Sequence, residues 1–322
     1  MFPPHTPEPV DDILDLIGHT PLLHLRRILT PGVADIFGKL ELLNPGGSVK
    51  DRIGIGMIRL AERDGLVQPG GTIIEPTAGN TGIALALAGV RLGYRVILCV
   101  PETFSVEKQE VMRALGGEVI LTPGDDGIAG AIREAESLGR SIPDSWVAQQ
   151  FRNPYNSQTH YETTGPEIFE QMAGRIDAFV AGSGSGGTFT GVSRFLKEKD
   201  PAIYTVLVEP QGSVLQGGQA GPHEVEGIGS SFIPDVLDLS LADEMITIPD
   251  APAFAMVARS ARVEGLLCGS SSGANVAAAL QVAKKLGPGK RVVTIIPDGA
   301  ERYMSKGIFS KWREQEEKPD SV

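Results

Sequence analysis

The sequence predicts an α/β fold of mostly parallel, twisted sheets covered by helices and divided into two domains. Short apolar, β-branched runs alternate with stretches of helical periodicity from residue 51 onward, the pattern of strands joined by helical crossovers. The 322 residues suffice for about two cores. Glycine is abundant, 40 residues beside 23 prolines. It follows no G-X-Y period and gathers where strand-like runs give way to helices. In open α/β sheets, ligands bind at such junctions, outside the carboxyl ends of strands.

Each element has its own signal. Residues 51–64 place Ile53, Met57, Leu60 and Ala61 at helical spacing and stop at Gly65. Strand-like runs come next at 72–75, 95–100, 118–121 and 145–150, separated by helical stretches at 80–92, 105–115 and 127–139. A second series has strands at 176–181, 203–209, 244–248 and 291–296, with helices near 186–199, 251–264 and 272–286. The turn at 151–156 marks a domain boundary near residue 150.

Composition removes several classes of function. With 29 basic against 40 acidic side chains and a net charge of -11, the chain lacks the clustered cations that nucleic acid requires. Its longest apolar run, Ile83 to Val90, is far short of the roughly 20 residues of a membrane span. The acidic, proline-rich first residues do not resemble a targeting signal, and the mixed charges from Lys311 to Lys318 read as a solvated tail. Cys99 and Cys268 each close an apolar run. Two buried thiols so far apart suit a reducing compartment and cannot build a zinc site. A cytoplasmic protein is expected.

Four junctions can carry chemistry. Gly182 to Gly191 (GSGSGGTFTG) follows a strand and opens a helix, so its N–H groups can converge on an anion at the helix's positive end. Gly182, Gly184 and Gly187 also satisfy the dinucleotide spacing, with Glu209 near the usual acid position. An NAD-dependent oxidoreductase is therefore one reading, and a turn chosen only for close packing is another. Gly269 to Gly273 fits the G-x-S-x-G elbow of hydrolases. No histidine follows Ser271, however, and these serines can equally cap a helix. In NPGGSVKDR, Lys50 stands behind a Gly-Gly turn at a helix start, where the dipole lowers an amine's pKa and favours a nucleophile. The alternative is an ordinary anion-binding lysine. EPTAGNTG at 75–82 offers hydroxyls, an amide and free N–H groups around another helix start, or is simply a capped turn.

Taken together, NPGGSVKDR, EPTAGNTG, QQFRNPYN, GSGSGGTFTG, EGIGSSFIP and GSSSG occur in the order found in the fold-type II pyridoxal phosphate enzymes. The chain resembles their cysteine synthase and cystathionine β-synthase group from about Ile17 to Phe309. The resemblance implies a tryptophan synthase β-like fold. A smaller domain, 46–150, would carry the asparagine loop, and a larger one, 1–45 plus 151–322, the phosphate loop. It implies that Lys50 binds the cofactor as a Schiff base. Gly184, Ser185, Gly186, Gly187 and Thr188 would hold its phosphate, Asn80 its 3′-oxygen and Ser271 its ring nitrogen. Thr77, Ala78, Gly79, Thr81 and Gln150 would bind the substrate carboxylate, and Gly227 would form part of the facing wall.

The implied chemistry is β-replacement on O-acetylserine or serine through an α-aminoacrylate, with sulfide giving L-cysteine or homocysteine giving L-cystathionine. The cofactor ring serves as electron sink and the released Lys50 as base. A serine at the ring nitrogen leaves the pyridine largely neutral, which suits elimination. Ala78 departs from the TSGNTG loop usual in plant and enteric cysteine synthases, while EGIGSSFIPDVLD and PDGAERYMSK lean toward the cystathionine synthases. A serine or threonine ammonia-lyase is the alternative within the same cofactor class. The resemblance further implies a homodimer, without the haem or nucleotide-sensing modules of the animal enzymes.

Overall fold

The computed structural model describes residues 9–77 and 79–310. Ten strands form two sheets among these residues. The four-stranded sheet contains β3 (Thr72–Pro76), β4 (Arg95–Pro101), β5 (Glu118–Thr122) and β6 (Ser145–Val147), in the order β5-β4-β3-β6 and all parallel. The six-stranded sheet has the order β1-β2-β10-β7-β8-β9. It is built from β1 (Leu22–His24), β2 (Asp35–Leu40), β7 (Ala178–Gly182), β8 (Tyr204–Pro210), β9 (Glu244–Ile248) and β10 (Arg291–Ile296). Only β1 runs antiparallel to its neighbour.

The strands are apolar along their length because both faces are covered. Side chains alternate between faces. In β7, Ala178 and Val180 enter one core while Phe179 and Ala181 enter another. In β4, Val96, Leu98 and Val100 likewise face one cluster and Ile97 and Cys99 the other. Both cysteines are buried and free. No helix among the described residues is long and apolar enough to cross a membrane.

Helices α1 (Lys50–Arg63), α2 (Asn80–Leu85), α3 (Val106–Ala114), α4 (Gly127–Ser141), α7 (Gly187–Lys199), α8 (Asp250–Arg259) and α9 (Ser270–Leu286) fall on the expected periodic stretches. The stretches beginning near 80 and 251 change character partway. Each continues as a π-helical turn, Ala86–Val90 and Ser260–Glu264. The run at 145–150 is shorter than expected: β6 ends at Val147, and Gln149 takes a φ of 53°. That left-handed residue swings Gln150 out of the sheet.

Two further helices, α5 (Tyr155–Glu162) and α6 (Thr164–Gln171), occupy the end of the expected turn at 151–156 and the residues up to β7. The α5 sequence, YNSQTHYE, has no apolar stripe. It is buried by small polar residues, and Thr159 and Thr163 satisfy themselves by donating to carbonyls four residues back. Neighbouring glycines make room. A Cβ on Gly56 of α1 would strike the Thr159 side chain, and one on Gly191 of α7 the Ser157 carbonyl.

A buried ionic network ties the start of α1 to the larger sheet. Arg52 donates to Glu41 through Nε (2.7 Å) and Nη2 (2.9 Å), and to Glu167 through Nη1 and Nη2 (both 2.7 Å). Lys39 completes it with bonds to Glu167 (2.7 Å) and Gln171 (2.9 Å). Two cations and two carboxylates balance, and the helix that begins at Lys50 is thereby held in place.

Candidate active site

Lys50 opens α1 at the bottom of a cleft of about 420 Å³. The preceding turn is pinned on both sides: Gly46 N–H donates to Asp51 (2.5 Å), and Val49 N–H donates to the Pro297 carbonyl beyond β10 (2.8 Å). Gly47 takes a φ of 79°, which explains the second glycine. Enclosure by protein brings the amine down to about 8, and the Asp298 carboxylate opposes that fall. Burial is thus the larger cause of a shift that the helix start alone had suggested.

The second wall comes from the β3–α2 junction. Thr77 Oγ1 accepts the N–H groups of Gly79 and Gly82, both at 3.1 Å, and so caps α2. Asn80 is bracketed: its Nδ2 donates to Asp298 (2.7 Å) and its Oδ1 accepts from Arg302 (2.8 Å). Thr81 donates to Gln150 Oε1 (2.7 Å), which fixes the orientation of the Gln150 amide. Ala78 lies outside the described residues.

Behind Gln150 sits Glu75, fully buried, with one oxygen accepting the Gln150 N–H (3.3 Å) and the other unpartnered. Burial pushes its carboxyl from 4.5 up to about 8. The folded state therefore keeps this proton while the unfolded chain loses it. Stability falls as pH rises from about 4.5 to about 8, then levels. In Glu75→Gln that slope disappears. The stability of the variant relative to the parent should grow by roughly 3 kcal/mol between pH 5 and pH 8, read from denaturant unfolding at each pH. A difference independent of pH would refute the protonated state.

The third wall is the β7–α7 junction, where the glycines are sterically required. A Cβ on Gly184 would strike the Gly227 carbonyl, and one on Gly187 the Asn156 amide. Gly186 takes a φ of 88°. Among the described residues, the N–H groups of Ser185, Gly186, Gly187 and Thr188 meet no acceptor. They cluster at the start of a 13-residue helix. From behind, Asn156 Nδ2 donates to Ser185 Oγ (2.9 Å), and Thr188 Oγ1 lies 3.1 Å from His160 Nε2. His160 is fully buried, and burial holds its pKa well below the usual range, so the ring is neutral.

The structure brings the expected residues together unevenly. Lys50, Thr77, Gly79, Asn80, Thr81, Gln150, Gly184, Ser185 and Gly227 line the main cleft. Gly186 and Thr188 line a recess of about 30 Å³ that shares Lys50 with it. Gly187 and Ser271 line neither; Ser271 is buried in the first turn of α9, directly behind Gly227. Glu209, the acid of the dinucleotide reading, is buried and accepts the Leu215 N–H (3.0 Å). Asp298, Arg302, Tyr303 and Lys306 lie in the PDGAERYMSK stretch and Glu226 opens EGIGSSFIP, but no signal in the sequence assigns a role of its own to any of them or to Lys108. Lys108 (7% exposed) and Lys306 both reach Glu226 at the cleft mouth, at 3.4 and 2.6 Å.

A two-sheet α/β fold with an enclosed amine facing an anion cradle defines a cofactor-dependent enzyme of the carbonyl-phosphate type. The chain belongs to the pyridoxal-phosphate dependent enzyme family, whose model matches residues 13–298. It is 52% identical over 300 residues to the O-acetylserine dependent cystathionine β-synthase of Bacillus subtilis, covering 93% of this chain and 98% of that one. It is 47% identical over 305 residues to a cysteine synthase of Staphylococcus aureus, covering 94% and 98%. Its fold matches the crystal structure of O-acetylserine dependent cystathionine β-synthase from Helicobacter pylori with a TM-score of 0.89 at 49% identity, covering 94% and 99%.

Proposed function

We propose that this protein is a pyridoxal phosphate-dependent β-replacement enzyme that takes O-acetylserine as donor and homocysteine as preferred acceptor, with sulfide as a second acceptor. The observation that carries the reading is the enclosed Lys50 amine, of lowered pKa, which shares a recess with a row of unpartnered backbone N–H groups. That donor set suits a phosphate dianion at a helix start, and the amine suits a carbonyl carbon. When bound, the cofactor supplies an electron sink for the bond broken at the substrate's Cα.

The chain's own residues do the rest. Gly184 to Thr188 hold the phosphate, while Asn80 and Ser271 fix the ring. Thr77, Ala78, Gly79, Thr81 and Gln150 receive the substrate carboxylate, with Gly227 on the facing wall. Lys50 Nζ would accept the Cα proton; at a pKa of about 8 it is matched to that task near neutral pH. The opposed charges of Lys108, Lys306 and Glu226 at the cleft mouth suit an amino-acid thiol, which carries both a carboxylate and an ammonium group; sulfide needs neither. Two lobes, 46–150 and 1–45 plus 151–322, enclose this site. Function as a cytoplasmic homodimer completes the proposal.

A matrix of donors (serine, O-acetylserine, O-phosphoserine) against sulfide and homocysteine, read as kcat/KM, tests it. The O-acetylserine and homocysteine pair is expected to rank first. Release of a 2-oxo acid from serine or threonine faster than thiol is consumed would make the protein an ammonia-lyase instead.

A further inference from the structure

We propose that Asp298 is a positioning residue of the active site: it orients the Asn80 amide and sets a fixed negative charge beside Lys50. The inference rests on the reading that Lys50 carries the cofactor. It starts from the backbone after β10, which two parts of the site grip together. Asp298 forms a β-bridge with Ser48, two residues before Lys50, and its carbonyl accepts the Gly269 N–H (3.0 Å) ahead of α9. A Cβ on Gly269 would strike the Asp298 carboxylate, so this glycine makes room for the acid. The side chain is 1% exposed and enters the wall behind the cleft.

Its partners fix the orientation of Asn80 chemically. A carboxylate only accepts and a guanidinium only donates. Asn80 stands between Asp298 and Arg302, so its Nδ2 must face the acid and its Oδ1 the arginine, at 2.7 and 2.8 Å. Arg302 is held in turn by the Gly46 carbonyl, in the turn before Lys50. One N–H of Asn80 is used by Asp298 and the other remains for a ligand. The Tyr303 hydroxyl also donates to Asp298, while the second carboxylate oxygen is buried without a partner. An incompletely paired buried carboxylate interacts strongly with nearby charge, because little solvent screens it.

The charges around the pair have definite signs. Asp298 acts on Lys50 to favour its protonated form, while burial disfavours it. His160 on α5 also faces Lys50, but it is neutral. Around Asp298 itself, burial raises the carboxyl's pKa, and Tyr303, Asn80, Lys108 on α3 and Arg302 act to keep it ionised. Without Asp298, the nitrogen of Lys50 would keep only the burial penalty.

The test uses the protein loaded with pyridoxal phosphate and follows its visible absorption band across pH, which reports protonation at the Lys50 nitrogen. In Asp298→Asn the carboxamide oxygen still accepts from Asn80 but the charge is gone. The midpoint should fall by roughly one pH unit while cofactor affinity stays near that of the parent. In Asp298→Ala the same shift should come with about tenfold weaker cofactor binding, because Asn80 loses its anchor. Tyr303→Phe disturbs the same packing and keeps the charge, so its midpoint should stay close to the parent value. An unshifted midpoint in Asp298→Asn, or an equal shift in Tyr303→Phe, overturns the role of Asp298 alone. A loaded parent protein without a visible band overturns both this inference and the cofactor reading of Lys50.

Discussion

Lys50→Ala is expected to lower the β-replacement rate at least about 10³-fold. Two functions disappear with one amine. The covalent hold on the cofactor is lost, and so is the base nearest the substrate's Cα. The other lysines of the cleft cannot substitute. Lys108 and Lys306 are both engaged with Glu226. The fold should survive, because α1 remains anchored through Arg52, and truncating a lysine whose burial disfavours its charge removes an unfavourable term. Thiol-dependent consumption of O-acetylserine reads the rate, and borohydride reduction with peptide mapping reads the attachment. In the parent, the pyridoxyl group should map to Lys50. A variant that retains both activity and a borohydride-stable adduct elsewhere would remove Lys50 from the mechanism.

Legibility in the sequence depends on where each interaction is encoded. The junctions at 44–52, 75–82 and 182–191 are compact: their glycines and capping residues share a short window that displays the chemistry, even though the contacts that require Gly184, Gly187 and Gly191 come from Gly227, Asn156 and Ser157. Strands β3, β4, β7 and β10 were equally plain, because burial on both faces leaves a mostly apolar run, interrupted only by Glu75 in β3 and Thr294 in β10 and begun by a polar residue in β3, β4 and β10. Helix α5 was hidden for the opposite reason. Its burial is achieved by Asn156, Ser157, Thr159 and His160, whose compensation lies in hydrogen bonds and in glycines on α1 and α7. Asp298 and Arg302 were hidden because their partner, Asn80, lies more than 200 residues away. The dinucleotide motif at 182–187 was visible and ambiguous. Only the tertiary fate of Glu209, spent on the Leu215 N–H, separates the two readings in space.

Glu41→Gln is expected to lower the unfolding free energy by about 3–5 kcal/mol, although Glu41 touches no ligand. The residue is fully buried and accepts from Arg52, from Thr20 Oγ1 (2.6 Å) and from Asn44 Nδ2 (2.9 Å). Arg52 and the Asn44 amide nitrogen can only donate, so an amide nitrogen set against either meets a donor; only the Thr20 hydroxyl can turn to accept it, and Arg52 loses half of its countercharge. Burial opposes the charge on Arg52, and Glu41 together with Glu167 outweighs it. Glu167 cannot neutralise both Arg52 and Lys39 alone. Raising salt should not reproduce the effect, since the network is shielded from mobile ions. Acid should weaken the same assembly. Burial acts to raise the Glu167 carboxyl, but Arg52 and Lys39 win and hold it at about 2, against 4.5 in the free state. Its stabilisation is therefore complete above about 4.5 and is lost as pH falls toward 2. Denaturant unfolding of parent and variant at neutral pH, at low and high salt, decides the matter. A loss below about 1 kcal/mol would mean that packing alone holds α1. A loss of the expected size would mean that the placement of Lys50 depends on charges standing outside the site.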